Sequence, residues 1–269
     1  MDFVPNQILL NLGFFQIRWY GVILALAVAS GFLVFFKLIL KKEKDISKDS
    51  VANLLFYTVI FSLIGGRIVY VLSFIPYFIK HPLEIIYIWQ GGISFYGVLI
   101  AGLLTFFFFS KKIFKEKESK QSFFVLLDIG VISLALAQVI GRWGNYFNQE
   151  LFGKPCEYFF CIPIEYIYRP LEFLNFTHFH PVFLYESILM LILFFTLLYM
   201  FRNKYVVGYI SSIYLVFHSI IRFLLEFLRL DIQPEFLGLR LFQYLAIVEL
   251  IIGIVLLILV KNGKIKEEN

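Results

Sequence analysis

An arginine, two asparagines and a glutamate stand close together in Gly141-Arg142-Trp143-Gly144-Asn145-Tyr146-Phe147-Asn148-Gln149-Glu150-Leu151-Phe152-Gly153, directly after a hydrophobic run. Charged and amide side chains are costly where a chain leaves a bilayer and are retained there for binding or chemistry. The cluster reads as a lipid-headgroup site.

Three more arginines lie within or at the ends of apolar runs: Arg18 beside Trp19 and Tyr20, Arg67 after Gly65-Gly66, and Arg222. At the rise of an α-helix, Arg67 and Arg222 sit about 24 Å and about 23 Å from the inner ends of their spans. With Arg18 and Arg142 they reach the outer third of the bilayer. Arginines near span ends also bind lipid phosphate without specificity, which is the plainer reading of Arg18 alone. Arg222, Glu226 and Arg229 recur at i, i+4 and i+7, so one helix face presents plus, minus, plus. Buried, Glu226 would hold its arginines in position; a purely structural ion pair is the alternative.

In Gly91-Gly92-Ile93-Ser94-Phe95-Tyr96-Gly97 the glycines permit close backbone approach and Ser94 is placed to cap a helix, although helix packing explains the glycines equally well. In His180-Pro181-Val182-Phe183-Leu184-Tyr185-Glu186 the proline suits a first helical turn, and Tyr185 and Glu186 begin the buried part. His178 and His180 have no third ligand at sensible spacing, so no metal is expected. Asp128 is the acid of the inward half, and no polar chain is expected to cross the midplane, where ion-coupled carriers bind. This asymmetry favours binding or chemistry at the outer leaflet over transport.

These residues must be positioned by a chain that is 60% hydrophobic and only 16% charged. Apolar runs of about 20 residues predict an all-α polytopic membrane protein with seven spans, at residues 17–40, 51–75, 94–110, 122–140, 181–201, 207–228 and 241–260. The runs lack the dyad alternation of a membrane barrel. Fourteen lysines and arginines flank the spans on one side, including Lys41, Lys111, Lys115, Lys117, Lys120, Lys264 and Lys266, against six on the other. The bias predicts an amino terminus outside and a cytoplasmic carboxyl terminus. It also accounts for most of the formal charge of +5, so no nucleic-acid partner is expected. Residues 1–16 carry no basic n-region, so no cleavable leader is expected. The chain reads as a single transmembrane domain, 1–269, whose longest extracytoplasmic segment is 142–180. Cys156 and Cys161 fall in that segment; a bridge there and two unpaired thiols are both open.

The blocks together resemble the signature of the prolipoprotein diacylglyceryl transferases. Gly141-Arg142-x-Gly144-Asn145-Tyr146-x-Asn148-x-Glu150-x-x-Gly153 carries the resemblance. In the family's order it is supported by Arg18-Trp19-Tyr20-Gly21, Gly65-Gly66-Arg67-x-x-Tyr70, Gly91-Gly92-x-Ser94-Phe95, His180-Pro181-x-x-x-Tyr185-Glu186, Arg222-Phe223-x-x-Glu226-Phe227-x-Arg229 and Gln243. The resemblance implies a bacterial plasma (inner) membrane enzyme with its site at the outer leaflet and no cofactor. Such enzymes move the diacylglyceryl group of phosphatidylglycerol to the lipobox cysteine of a prolipoprotein signal peptide, forming a thioether and releasing glycerol 1-phosphate. By the same resemblance Arg142 and Arg222 stabilise the leaving phosphate, the task for which preorganised guanidiniums in a low-dielectric site are suited. Tyr20, Arg67, Asn145, Asn148, Glu150, Gly153, Glu226 and Arg229 are then expected to bind phosphatidylglycerol, and His180, Tyr185, Glu186, Gly91 and Gly92 to shape the site.

Three departures stand out. Where the family usually has histidine after Gly-Gly-x-Ser-Phe, this chain has Tyr96. Histidine is a natural thiol-activating base, whereas an unperturbed phenol, at about 10, is a poor one. Tyr96 therefore donates a hydrogen bond, acts as a base helped by an arginine, or is dispensable. Gln149 and Lys154 replace a usual glycine and arginine and are expected to narrow or reshape the headgroup pocket. Cys156 follows Lys154-Pro155, which is no lipobox. The competing reading is a phosphatidylglycerol-binding relative that has lost the chemistry.

Overall fold

A computed structural model describes residues 4–13, 16–88, 91–114 and 119–263. Of the basic flank, Lys115, Lys117, Lys264 and Lys266 lie outside the described residues, as does the side chain of Lys120. The elements are β1 (Ile8–Asn11), β2 (Gln16–Arg18), α1 (Trp19–Lys42), α2 (Lys48–Ser73), α3 (Ile75–Lys80), α4 (Phe95–Ile113), α5 (Ser119–Asn148), β3 (Ile162–Pro163), β4 (His178–Phe179), α6 (Val182–Arg202), α7 (Tyr209–Glu226), β5 (Glu235–Phe236), β6 (Leu239–Arg240) and α8 (Leu241–Lys261). All of these helices except α3 are long and apolar enough to cross a membrane, which makes the seven expected spans. Helices are the form these runs must take, since lipid offers backbone amides and carbonyls no partner. Among the described residues the strands pair as three short antiparallel ribbons, one before α1 and two between spans.

The main departure from the expected spans is α5, which continues to Asn148 rather than ending near residue 140. Arg142, Asn145 and Asn148 therefore occupy its last two turns instead of a loop. Aromatic packing on the other side of those turns sustains the helix: Trp143 and Tyr146 lie 5.6 Å and 5.2 Å from Phe183 on α6.

Two compact units are present, Met1–Phe35 with Asp128–Asn269, and Phe36–Leu127. Within Phe36–Leu127, α2 and α4 cross with their backbones nearly touching. A Cβ on Gly97 would lie 2.3 Å from the Gly65 carbonyl oxygen, so only glycine permits the approach. Ser94 occupies the cap position of α4 without a side-chain cap bond, and its amide donates to the Gly66 carbonyl at 2.9 Å instead. Arg67, 9% exposed, clamps the segment between the two helices. It donates to the carbonyls of Ile85 (2.7 Å), Gly91 (2.8 Å), Gly92 (3.0 Å) and Glu84.

In the other unit, α7 begins at Gly208, whose φ of 89° is left-handed. The fully buried carboxylate of Asp128 on α5 meets this helix start. It accepts from the Gly208 amide (2.7 Å), the Ser211 amide (2.8 Å) and the Ser211 hydroxyl (2.6 Å). An anion at a helix N-terminus satisfies donors that have no partner within the helix. Asp128→Ala leaves those buried amides unpaired and is expected to cost about 2 kcal/mol, read as a lowered thermal unfolding midpoint in detergent, with Asp128→Asn milder. Between α5 and α6, β3 and β4 pair over a cluster of Phe152, Ile164 and Phe179, and a disulfide joins Cys156 to Cys161. Between α7 and α8, the β5–β6 hairpin turns through Leu237 and Gly238, both at positive φ.

Candidate active site

The last turns of α5 bring Arg142, Asn145 and Asn148 to one side of the helix at i, i+3 and i+6. The chain then reverses through Gln149 (φ 53°) and Leu151 (φ 56°), and the Glu150 amide donates to the Asn145 carbonyl at 3.0 Å. This reversal folds Glu150 back over the helix end, where its carboxylate accepts from Asn145 Nδ2 at 2.8 Å and Asn148 Nδ2 at 3.5 Å. Arg142 Nη1 donates to Asn145 Oδ1 at 3.4 Å. Tyr20 packs against the same turns, so close that a Cβ on Gly144 would lie 2.9 Å from its ring. A cavity of about 550 Å³ opens beside it, lined by Arg18, Tyr20, Gly21, Ala25 and Asn148 among others.

Glu186 on α6 ties this end of α5 to α7. Its buried carboxylate accepts from Arg142 Nη2 at 2.6 Å and Arg222 Nη1 at 3.4 Å. Arg222 Nη2 lies 3.4 Å from Glu226, which also accepts from Arg240 Nη1 (2.9 Å) and Gln233 Nε2 (2.5 Å). Arg229 Nε bonds Asp231 at 2.9 Å, and Arg240 donates to the Arg229 carbonyl at 2.9 Å and to the Asp231 carbonyl. Arg142, Arg222, Arg229 and Arg240 thus pair with Glu186, Glu226 and Asp231, and Glu150 joins through Asn145. Such pairing is what makes buried guanidiniums tolerable in a low-dielectric setting. One donor is left over: Arg142 Nε is buried and has no hydrogen-bond partner among the described residues. Arg142 and Arg222 thus flank one shared carboxylate, that of Glu186.

The expected residues divide accordingly. Arg142, Asn145, Asn148, Glu150, Glu186, Arg222, Glu226 and Arg229 share this lattice, and Tyr20 borders it. Gly153 is closely packed. A Cβ there would lie within 3.0 Å of Val182, His180 and the Leu228 carbonyl, and its amide donates to the His180 carbonyl at 2.8 Å. His180 Nδ1 lies 3.0 Å from the Tyr185 hydroxyl, and burial pushes its imidazole below the ordinary histidine range. Arg67, expected to bind the headgroup, instead directs every guanidinium nitrogen to backbone carbonyls, where Gly91 and Gly92 are its acceptors. Tyr96 lies in the first turn of α4, 46% exposed. Gln149, expected to reshape the pocket, accepts from the Glu165 amide at 2.7 Å. Its left-handed φ gives the reason a glycine would be at ease there.

The absence of a polar chain at mid-span is also corrected. Along α7 the polar residues continue inward from Arg222 as His218, Tyr214 and Ser211, a stripe at helical spacing. His218 and Tyr214 meet Gln138 on α5, and His218 also meets Glu249 on α8. Arg240, Asp231 and Gln233 are further members that the sequence did not single out. The stripe was visible as an extension of the Arg222–Glu226–Arg229 repeat, whereas Glu249 is hidden in an apolar run and is revealed only by its partner on another helix.

Fold and site define a multi-pass membrane protein that holds an arginine–carboxylate lattice at one end of its helices. The chain belongs to the prolipoprotein diacylglyceryl transferase family, whose family model matches residues 7–259. It is 40% identical over 233 residues to a protein of Synechococcus sp. (strain CC9902) named phosphatidylglycerol--prolipoprotein diacylglyceryl transferase, an alignment covering 84% of this chain and 80% of that one. Proteins of the same name from Nostoc sp. (strain PCC 7120 / SAG 25.82 / UTEX 2576) and Parasynechococcus marenigrum (strain WH8102) are 38% and 37% identical. Each of those alignments also covers 84% of this chain, with 80% and 81% of the relative.

Proposed function

We propose that this chain transfers the diacylglyceryl group of phosphatidylglycerol to the lipobox cysteine thiol of a prolipoprotein signal peptide. The observation that carries the reading is the pair Arg142 and Arg222 on either side of Glu186, with Arg142 Nε still open. In the reaction the thiol sulfur bonds to the glyceryl carbon as that carbon's bond to the phosphate oxygen breaks. Negative charge accumulates on the leaving phosphate, where two fixed guanidiniums stabilise it most. Glu186 and Glu226 keep both arginines in place. Asn145, Asn148 and Glu150 offer donors and acceptors to the hydroxyls of the glycerol headgroup, and Tyr20 walls the cavity beside them. Arg229 acts through Glu226 rather than on the lipid.

The lysine bias of the flanks supports a bacterial plasma membrane orientation with this end at the outer leaflet. The Cys156–Cys161 bridge, in a segment adjoining the site, agrees with an oxidising exterior. A prolipoprotein cysteine would reach this leaflet on leaving the cytoplasm.

The test is transfer by purified protein from phosphatidylglycerol vesicles to a lipobox peptide, with mass spectrometry of the thioether and of glycerol phosphate. Lipid binding without either product would leave the binding-only reading, which is the weaker one given the family. Tyr96→Phe is expected to keep the rate within about threefold, because a catalytic base contributes about 10²-fold or more. A larger loss would return the Tyr96 hydroxyl to the mechanism.

A further inference from the structure

The arginine lattice has a second tier one helical turn deeper, which the transfer outlined above leaves unused. Gln138 precedes Arg142 by four residues on α5, and His218 precedes Arg222 by four on α7. Each therefore lies about 6 Å along the helix axis from its arginine. His218 Nδ1 is 2.8 Å from Glu249 Oε1 on α8, and its Nε2 is 3.2 Å from Gln138 Nε2. Tyr214 stacks on the imidazole, 5.3 Å between centroids and 10° between planes, and donates to Gln138 Oε1 at 2.9 Å.

These contacts assign the proton. With Gln138 Oε1 engaged by Tyr214, its amide nitrogen faces His218, so Nε2 is the acceptor and Nδ1–H donates to Glu249. An imidazole held by a carboxylate through one nitrogen, with the other turned to an amide donor, has the arrangement of a general base. Among the described residues, Nε2 meets the Gln138 amide at 3.2 Å. Among the described residues, Glu249 on α8 bonds it and Tyr214 on α7 stacks on it, and it lies within electrostatic reach of Glu186 on α6, the carboxylate that Arg142 and Arg222 share.

We propose that His218 accepts the thiol proton in this chain and that Glu249 positions it, the task otherwise given to the family's histidine where this chain has Tyr96. The inference rests on the transfer reaction proposed above. The S–H proton passes to Nε2 in place of the Gln138 amide, and the sulfur electron pair forms the S–C bond. The C–O bond breaks with its electrons left on the phosphate between Arg142 and Arg222. Glu249 balances the imidazolium, which returns its proton to the departing glycerol phosphate, a phosphomonoester with a second ionisation at about 6. Thiol and lipid go in, thioether and glycerol phosphate come out, and no further reactant is needed.

The test is the pH profile of transfer, from about pH 6 to about pH 9, for wild type, His218→Gln and Glu249→Gln, using phosphatidylglycerol vesicles and a lipobox peptide. His218→Gln is expected to lose about 10²-fold near neutrality. It should recover about tenfold above pH 8.5, where the thiol ionises unaided. Glu249→Gln should keep part of the rate and move the acid limb. Native mass spectrometry of bound phosphatidylglycerol shows whether each variant retains its lipid site. A His218→Gln profile that matches wild type, or a loss equal at every pH, would overturn the proposal. Wild-type turnover with either result removes only the base, whereas no thioether from wild type at any pH removes the transfer reading itself.

Discussion

Arg222→Ala is expected to slow transfer by about 10²–10³-fold while the protein still inserts and folds. The size follows from removing one preorganised donor at the point where transition-state charge collects. Survival of the fold follows from the lattice. Without Arg222, Glu186 keeps Arg142 at 2.6 Å and Glu226 keeps Arg240 at 2.9 Å, so neither buried carboxylate is stranded. Arg142→Ala should lose a comparable factor, since it removes both the contact to Glu186 and the open Nε. The measurement is initial rate of thioether formation, with the unfolding midpoint as control. Near-normal rates in both variants would remove the proposed phosphate site.

Glu186→Ala should act in the opposite order, on stability first. Its carboxylate is the counter-charge that Arg142 and Arg222 share, and the side chain is 2% exposed. Taking it away leaves two guanidiniums near each other in a low-dielectric interior with a cavity between them. Breaking a buried pair in this way costs about 3–5 kcal/mol, about 10 °C in midpoint for a chain of this size. Transfer should fall as well, because the arginines would repel each other out of register. Thermal unfolding in detergent decides it, and an unchanged midpoint would show that Glu186 is dispensable to the lattice. Glu186→Gln, which keeps the shape and two polar atoms, should lie between.

The same lattice explains why some site residues were legible in advance and others were not. Arg142, Asn145, Asn148 and Glu150 were visible because polar residues concentrated beside an apolar span are unusual in themselves. The i, i+4, i+7 repeat of Arg222, Glu226 and Arg229 was visible because helical spacing is local. Glu186 was placed near the site, but nothing in its own neighbourhood says that it joins α5 to α7. Arg67 was not placed by the sequence, since an intramembrane arginine looks alike whether it faces lipid phosphate or backbone carbonyls; in the fold it donates to the carbonyls of Gly91 and Gly92.

Seven apolar runs and their spacing were enough to dictate the seven helices. Lipid leaves the backbone no other way to satisfy itself, and hydrophobic length is written residue by residue. Two further things needed the tertiary structure: how far α5 extends past its apolar run, and which charges pair. The first depends on Trp143 and Tyr146 packing against Phe183, and the second on contacts such as Arg142–Glu186 and His218–Glu249, made by residues 44 and 31 positions apart. An ion pair is favoured by geometry across helices, and that geometry exists only once the helices have packed.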